Sequence, residues 1–158
     1  MRKLLLLTSL FMLPPTLMAA SNDQYADDLA GLYGDVQQVR AMEELCSQQF
    51  PATASSNRRA VSNWRQQYSP FVAEIESRWE RWLVVRANGI SRQHETLVAW
   101  SKELYESSKS ALSARLLTDG LELFQKRCEN YPIYLKSPRK NPELVHAETL
   151  RRIRQLSQ

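Results

Sequence analysis

The chain has 158 residues, of which 43% are hydrophobic and 24% charged, and only 4 are glycine. This composition fits one helical domain better than a turn-rich β-sheet protein. Beyond the first twenty residues the charge is unevenly spread, because residues 21–135 hold 13 basic against 15 acidic side chains and residues 136–158 hold 6 against 2. Residues 21–135 are therefore slightly acidic, and the basic character belongs to the C-terminal end.

The first twenty residues have the pattern of a secretory signal peptide. Two basic residues precede an apolar run from Leu4 to Leu13, and the small residues that follow predict cleavage after Ala19 or Ala20. The run is much shorter than the roughly 20 residues of a membrane-spanning helix. We therefore expect residues 1–20 to be removed and the mature chain to be secreted, most simply into a bacterial periplasm.

Cys46 and Cys128 are the only two cysteines. In an oxidising compartment such a pair predicts a structural disulfide, and their wide separation excludes a C-x-x-C redox motif. Only two histidines could join them in a metal site, so we expect neither a metal nor a cofactor. Closing a loop of about eighty residues contributes roughly 4 kcal/mol of stability in the chain-entropy model.

Long amphipathic segments follow, and none shows the apolar alternation of a strand. The first is predicted to run from an N-cap at Asn22 or Asp23 to Pro51. Gly31 and Gly34 weaken this helix without interrupting its apolar spacing.

The second segment has helical apolar spacing through positions 61–83 and ends at Asn88-Gly89, a helix-stop signal. Pro70 lies inside it. The spacing keeps its phase across the proline, which favours one kinked helix. The alternative is two helices, with Ser69 capping the second.

The third segment begins at Ser91, and after Leu116 its apolar face rotates by about half a turn. We favour a bend at Gly120, after which the helix continues to about Asn130. The alternative is a true break, with Asp119 as the N-cap of a new helix.

The cysteines support the bend. In an up-down-up arrangement the C-terminal ends of the first and third helices meet, and those ends hold Cys46 and Cys128. A reversal at Gly120 would carry Cys128 about 15 Å back along the bundle, whereas a disulfide needs Cα atoms about 4.4 to 6.8 Å apart. Each cysteine is followed by an aromatic residue and a proline, Pro51 or Pro132, which we expect to end the two helices.

The C-terminal region, residues 136–158, is predicted to be a basic arm with a short helix. Asn141 is its N-cap and Pro142 its first residue. Arginines 151, 152 and 154 cluster near its end. The arm is expected to pack as an appendage. The functional alternative is contact with anionic membrane, wall polymer or an acidic partner, while nucleic acid is not expected of a secreted protein.

The stretch SRWERW is the most unusual local chemistry. Tryptophans with neighbouring arginines can hold a sugar ring or anchor a partner, yet Trp79 and Trp82 continue the apolar stripe of their helix, which favours a place in the core. Trp100 lies at the edge of its helix's apolar face and is the better candidate for exposure. The candidate partner-binding residues are Trp79, Trp82, Trp100, Arg78, Arg81, Arg151, Arg152 and Arg154.

Catalytic signatures are missing from the sequence, including HExxH, G-x-S-x-G and phosphate-binding loops. Glu74, Glu76 and Glu80 could supply a glycosidase-like carboxylate pair, although their spacing beside arginines is typical of a solvated, salt-bridged helix face.

The sequence thus predicts an all-α protein, an antiparallel up-down-up bundle of three long helices with a bent third helix and a short C-terminal helix, stapled by one disulfide. The bundle should occupy residues 21–135. The expected function is a non-catalytic secreted or periplasmic interaction protein of adaptor, inhibitor, immunity or chaperone type, with an envelope protein as partner. The alternative is a cell-wall glycan binder or hydrolase that uses the Trp/Arg/Glu cluster.

Overall fold

The computed structural model describes residues 16–156, with side chains from residue 24 onward. Every regular element in that range is helical, which confirms the all-α class. The elements are α1 (Thr16–Gln49), α2 (Ala54–Gln67), α3 (Ser69–Arg86), α4 (Ser91–Thr118), α5 (Leu121–Leu135), α6 (Pro142–Val145), α7 (Ala147–Leu156) and two 3-10 turns, Pro51–Thr53 and Pro138–Lys140.

The N-terminal predictions are only partly within this range. Residues 1–15 of the predicted signal peptide lie outside the described residues, and residues 16–20 form the beginning of α1. Secretion therefore stays a prediction. The predicted N-cap at Asn22 or Asp23 is wrong, because α1 passes through both positions as continuous helix.

Helix α1 is the centre of the bundle, and α2, α3, α4, α5 and α7 all pack on it. Its inner residues Leu29, Leu32, Val36 and Val39 recur at spacings of three and four and are fully or almost fully buried. They form the spine of the main core together with residues of α2, α3, α5 and α7. A single helix therefore supplies the apolar surface that the other helices share.

Side-chain pairs along α1 give the direction of α4. Ser101 lies beside Tyr33, Tyr105 beside Arg40, and Lys109 donates to Glu44 at 3.0 Å. The residue numbers of the paired side chains increase together along both helices, so α4 runs parallel to α1. Since α2 and α3 lead back from the end of α1 to the start of α4, the predicted up-down-up order is confirmed.

The second predicted helix is divided at Tyr68, where the kink favoured by the sequence is replaced by a break. Pro70 has no N–H to continue the hydrogen-bond ladder of α2, but in the first turn of a new helix that donor is not needed. The ladder of α3 starts at once, with the Val72 N–H donating to the Tyr68 carbonyl at 3.0 Å.

The third predicted helix also breaks, between Thr118 and Leu121. Gly120 has φ 99°, a conformation that glycine adopts far more easily than other residues. Helix α5 then runs antiparallel to α1. Phe124 packs edge-on against Phe50, Cys128 is bonded to Cys46, and the Tyr131 hydroxyl donates to the Val39 carbonyl at 3.0 Å.

The disulfide Cys46–Cys128 is confirmed, with a Cα–Cα distance of 5.4 Å, although the bend that was inferred from it is not found. The sequence reasoning assumed that α1 and α4 end at the same height. From the level of the Glu44–Lys109 pair, α4 rises about 16 Å to Gly120, and α5 descends about 12 Å to Cys128. The net rise of about 4 Å matches the level of Cys46, so the overshoot of α4 lets the returning helix meet the first cysteine.

Pro51 follows the end of α1 as predicted, but Pro132 does not end α5, which continues to Leu135. Proline in a helix interior removes one backbone hydrogen bond and strains the preceding turn. Here Tyr131 and Leu135 on either side are buried in the main core and hold the last turn in place. Packing therefore overrides the local stop signal.

The C-terminal region is packed into the fold. The Asn141 side chain accepts hydrogen bonds from the backbone of Glu143 and Leu144, which confirms the predicted cap. Leu150 and Ile153 of α7 are buried among the residues of the main core.

The disulfide closes a separation of 82 residues, which predicts its effect on stability. Replacing both cysteines by alanine should lower the free energy of unfolding by roughly 3 to 4 kcal/mol, because the unfolded chain regains the entropy of the open loop. Chemical denaturation of the oxidised parent and of the double variant measures this, and circular dichroism should show that the native helix content is kept. A loss below about 1 kcal/mol would contradict a stabilising role for the bridge.

Candidate functional site

The predicted partner-binding residues do not form one surface. On α1, Asp28 and Asp35 face the C-terminal segment, residues 136–156, whereas Tyr33, Arg40 and Glu44 face α4. At 100° per residue these two sets lie on opposite sides of the helix. The tryptophans are on the α4 side, and the ion-paired arginines of α7 are on the other.

The tryptophans form an aromatic cluster around Trp79, which is only 4% exposed. Its ring stacks on Tyr33 at 4.6 Å and on Trp82 at 5.2 Å, and Trp100 lies 6.2 Å away. The Trp79 indole N–H donates to the Ser101 hydroxyl at 3.0 Å. Trp79 and Trp82 thus join three helices as core or half-buried residues, and Trp100, at 42% exposure, is the accessible member.

The arginines of the C-terminal helix bond to acids elsewhere in the fold. Arg152 makes a bidentate pair with Asp28 at 2.8 and 2.9 Å, and Arg154 binds Glu74 at 2.6 Å. Arg78 also binds Glu74, at 3.0 Å. Arg151 is exposed and lies 3.9 Å from Glu148 of its own helix, and Arg81 donates to Ser77. Most of the predicted basic surface is therefore occupied in intramolecular pairs.

Only two of the three α3 glutamates lie near the tryptophans, since Glu76 and Glu80 line a recess with Trp79. Glu74 is held by two arginines on the α7 side, and Glu76 accepts from Arg65 of α2 at 2.8 Å. Glu80 is exposed. Trp79 in that recess is only 4% exposed, and neither Arg78 nor Arg81 lines it, so the predicted Trp/Arg/Glu cluster is not assembled as one site among the described residues.

A groove lies between α1 and α4, with a volume of about 340 Å³. Its floor on α1 is an exposed strip of small residues, Ala30, Gly31 and Gly34, and its far wall includes Leu104 and Tyr105 of α4. Leu104 is 43% exposed. We call this the α1–α4 groove.

Helix α4 is mostly exposed beside this groove. It has 28 residues, and Leu116 alone is buried. The Glu44 carboxylate helps to hold it: burial raises the pKa of Glu44, but hydrogen bonds from Lys109 and Arg40 outweigh this and lower it. Burial and the neighbouring Glu44 raise the pKa of Tyr105 to about 12.

A second cavity, of about 590 Å³, lies where α5 diverges from α4. It shares Gln38 and Leu112 with the α1–α4 groove, so the two cavities adjoin. Arg115 and Lys140 line it, and burial lowers the pKa of Lys140 despite the opposing effect of Asp35. We call this the α4–α5 cleft.

Sequence reasoning missed Leu104, Arg115 and Lys140 as surface candidates. Two features of the sequence could have indicated them. One is the pair of glycines within an amphipathic helix. The other is the change of apolar phase after Leu116, near the point where α5 diverges from α4. Without the return of α5, neither signal could be assigned to a cavity.

Within residues 16–156 no group of three or more His, Cys, Asp or Glu side chains could hold a metal ion, and no helix is both long and apolar enough to cross a membrane. Comparison with protein families, with curated proteins and with solved structures finds no match to this chain.

Three carboxylates that contact the C-terminal segment predict a dependence of stability on pH. Hydrogen bonds from Arg152, His146 and Arg154 hold the pKa values of Asp28, Asp35 and Glu74 below their ordinary values of 3.8, 3.8 and 4.5. A lowered carboxyl pKa stabilises the fold fully above the ordinary value, and this stabilisation is lost as the pH falls through the lowered one.

We therefore expect the thermal midpoint to fall steeply below about pH 4, as the C-terminal segment loses its pairs. Asp28→Asn should lower the midpoint at pH 7 and make the further fall between pH 7 and pH 3 smaller. The exposed neighbour serves as the control, since Asp27→Asn should follow the parent curve. Circular dichroism measures the midpoints, and parallel curves for both variants would contradict the role of Asp28.

Proposed function

We propose that this is a secreted, non-catalytic interaction protein of adaptor, inhibitor, immunity or chaperone type. It binds an envelope protein by taking one amphipathic helix of that partner into the α1–α4 groove. The observation that carries this proposal is the exposed glycine strip of α1, which faces the half-exposed Leu104 across an open groove.

The dimensions of the groove suit a helix. Its α1 floor extends from Ala30 to Ala41, about 16 Å, which corresponds to three turns of a partner helix. Leu104 on α4 supplies an apolar contact along one wall, with Trp100 close by at the edge of the aromatic cluster. Recognition of this kind lays the apolar face of a helix against a hydrophobic groove.

The two glycines support the same proposal. Glycine inside a helix costs about 1 kcal/mol relative to alanine. A Cβ atom added at Gly31 or Gly34 would meet nothing within 4 Å, so packing within the described chain does not require either glycine. A strip without side chains allows the backbone of a partner to approach closely.

The disulfide supports the proposal that the protein is secreted. Disulfides persist in secreted and periplasmic proteins and are rare in proteins of reducing compartments. Because both cysteines are in the bridge, no thiol is left for nucleophilic chemistry. A disulfide-bonded bundle with an open groove fits a binding role.

Site-specific photo-cross-linking in the native envelope tests the proposal. A benzophenone side chain at Ala30 or Ser108 should give the same discrete adduct. Mass spectrometry should locate both cross-links on one amphipathic segment of one partner. The same probe at Arg58 or Gln125, exposed positions outside the groove, is the control and should give no such adduct. Equal adducts at all four positions, or none in the groove, would contradict the proposal.

Two substitutions separate binding from folding. Gly34→Leu should keep or raise the free energy of unfolding, by up to about 1 kcal/mol, because leucine is the better helix former, yet it should abolish the adduct by filling the groove. Leu104→Asp should also abolish it. Leu123→Asp is the matched control, since Leu123 has the same 43% exposure and lies outside the groove. If Gly34→Leu leaves the adduct intact, the helix does not lie on this strip.

A further inference from the structure

Three cations, Arg115, Arg127 and Lys140, line the α4–α5 cleft together with one acid, Asp119. Within residues 24–156 no ion pair joins Arg115 or Lys140 to a carboxylate. Arg127 in the same cleft is paired, with Asp119 at 2.6 Å. The charge of Asp35 also acts on Lys140, but the Asp35 carboxylate is bonded to His146 at 3.0 Å. The cleft therefore has an excess of positive charge, which favours an anion from outside the chain.

Lys140 is held in a partly desolvated position. Its ammonium lies 5.6 Å from the centre of the Tyr134 ring, and its backbone carbonyl accepts from the Trp64 indole at 2.8 Å, which fixes this part of the chain. Burial lowers its pKa, so its charged form is less stable here than in water. A bound carboxylate would restore that stability.

Apolar and aromatic side chains form part of the cleft wall, beside the polar residues Gln38 and Asn130 and the Arg127–Asp119 pair. Met42 of α1, Leu112 and Leu116 of α4, and Tyr131 of α5 contribute to its walls. The volume of about 590 Å³ lies within the range of roughly 300 to 1,000 Å³ that is usual for small-ligand sites. Its ligand should therefore combine an apolar body with a negative charge.

We propose that the α4–α5 cleft binds a small aliphatic carboxylate, with the chain against Leu112, Leu116 and Tyr131 and the carboxylate bound by Arg115 and Lys140. Arginine and lysine donate charge-assisted hydrogen bonds to a carboxylate, which are stronger than those between neutral groups. This site is separate from the proposed helix-binding role of the α1–α4 groove, and either can hold without the other.

Titration calorimetry of the oxidised chain with octanoate, octylammonium and 1-octanol tests the charge requirement. We expect one octanoate per chain, bound at least about tenfold more tightly than octylammonium, with octanol between them. In the heteronuclear NMR spectrum, octanoate should shift the resonances of Leu112 and Tyr131 and leave those of α7 unchanged. Absence of octanoate binding, equal binding of the two ions, or shifts confined to another surface would overturn the proposal.

Variants that remove one positive charge each test whether Arg115 and Lys140 bind the carboxylate. Arg115→Gln and Lys140→Gln should each weaken octanoate binding by about three- to tenfold, and the double variant should bind octanoate no better than octanol. Lys136→Gln, an exposed cation outside the cleft lining, is the control and should bind as the parent does. Thermal unfolding checks that each variant is folded. Parent-like binding by the folded double variant would overturn the assignment.

Discussion

Burial of α1 is the constraint on which the rest of the structure depends. Five other helices pack on it, and its inner residues, Leu29, Leu32, Val36 and Val39, are buried in the main core. Two of its sides are covered, by α4 on one and by the C-terminal segment on the opposite one. The strip between them, at Ala30, Gly31 and Gly34, is left open to solvent. The groove is thus a consequence of how a single central helix is surrounded.

The disulfide fixes the other end of the bundle. It joins α1 to α5 within a small second core that includes Leu45, Leu116 and Phe124, separate from the main one. Because α4 extends past the end of α1 before the chain turns at Gly120, α5 returns at an offset and diverges from α4. The cleft lies in that divergence. The Cys46–Cys128 disulfide therefore maintains both the position of α5 and the shape of the cavity beside it.

The sequence predicted what local periodicity and capping determine: helical class, the helix boundaries near Pro51, Asn88, Ser91 and Asn141, the core position of Trp79 and the cysteine pairing. It did not predict the reversal at Gly120, because the relative heights of α1 and α4 depend on long-range packing. The predicted helix end at Pro132 was wrong for a related reason. Burial of Tyr131 and Leu135 compensates for the backbone hydrogen bond that the proline removes, and this burial depends on residues far away in the sequence. The α4–α5 cleft could not be predicted from the sequence, because its residues are brought together only by the return of α5.

We expect α1 to be the most protected helix of the described chain and α4, beside it, to be loosely held. Hydrogen–deuterium exchange on the free, oxidised chain tests this claim most directly, since amide protection reports the free energy of local opening. We expect the slowest exchange in α1 between Leu32 and Cys46 and markedly faster exchange in α4 between Ser91 and Ala111, because that stretch contains no buried residue. Equal protection of the two helices would contradict the claim, and faster exchange in α1 than in α4 would refute it.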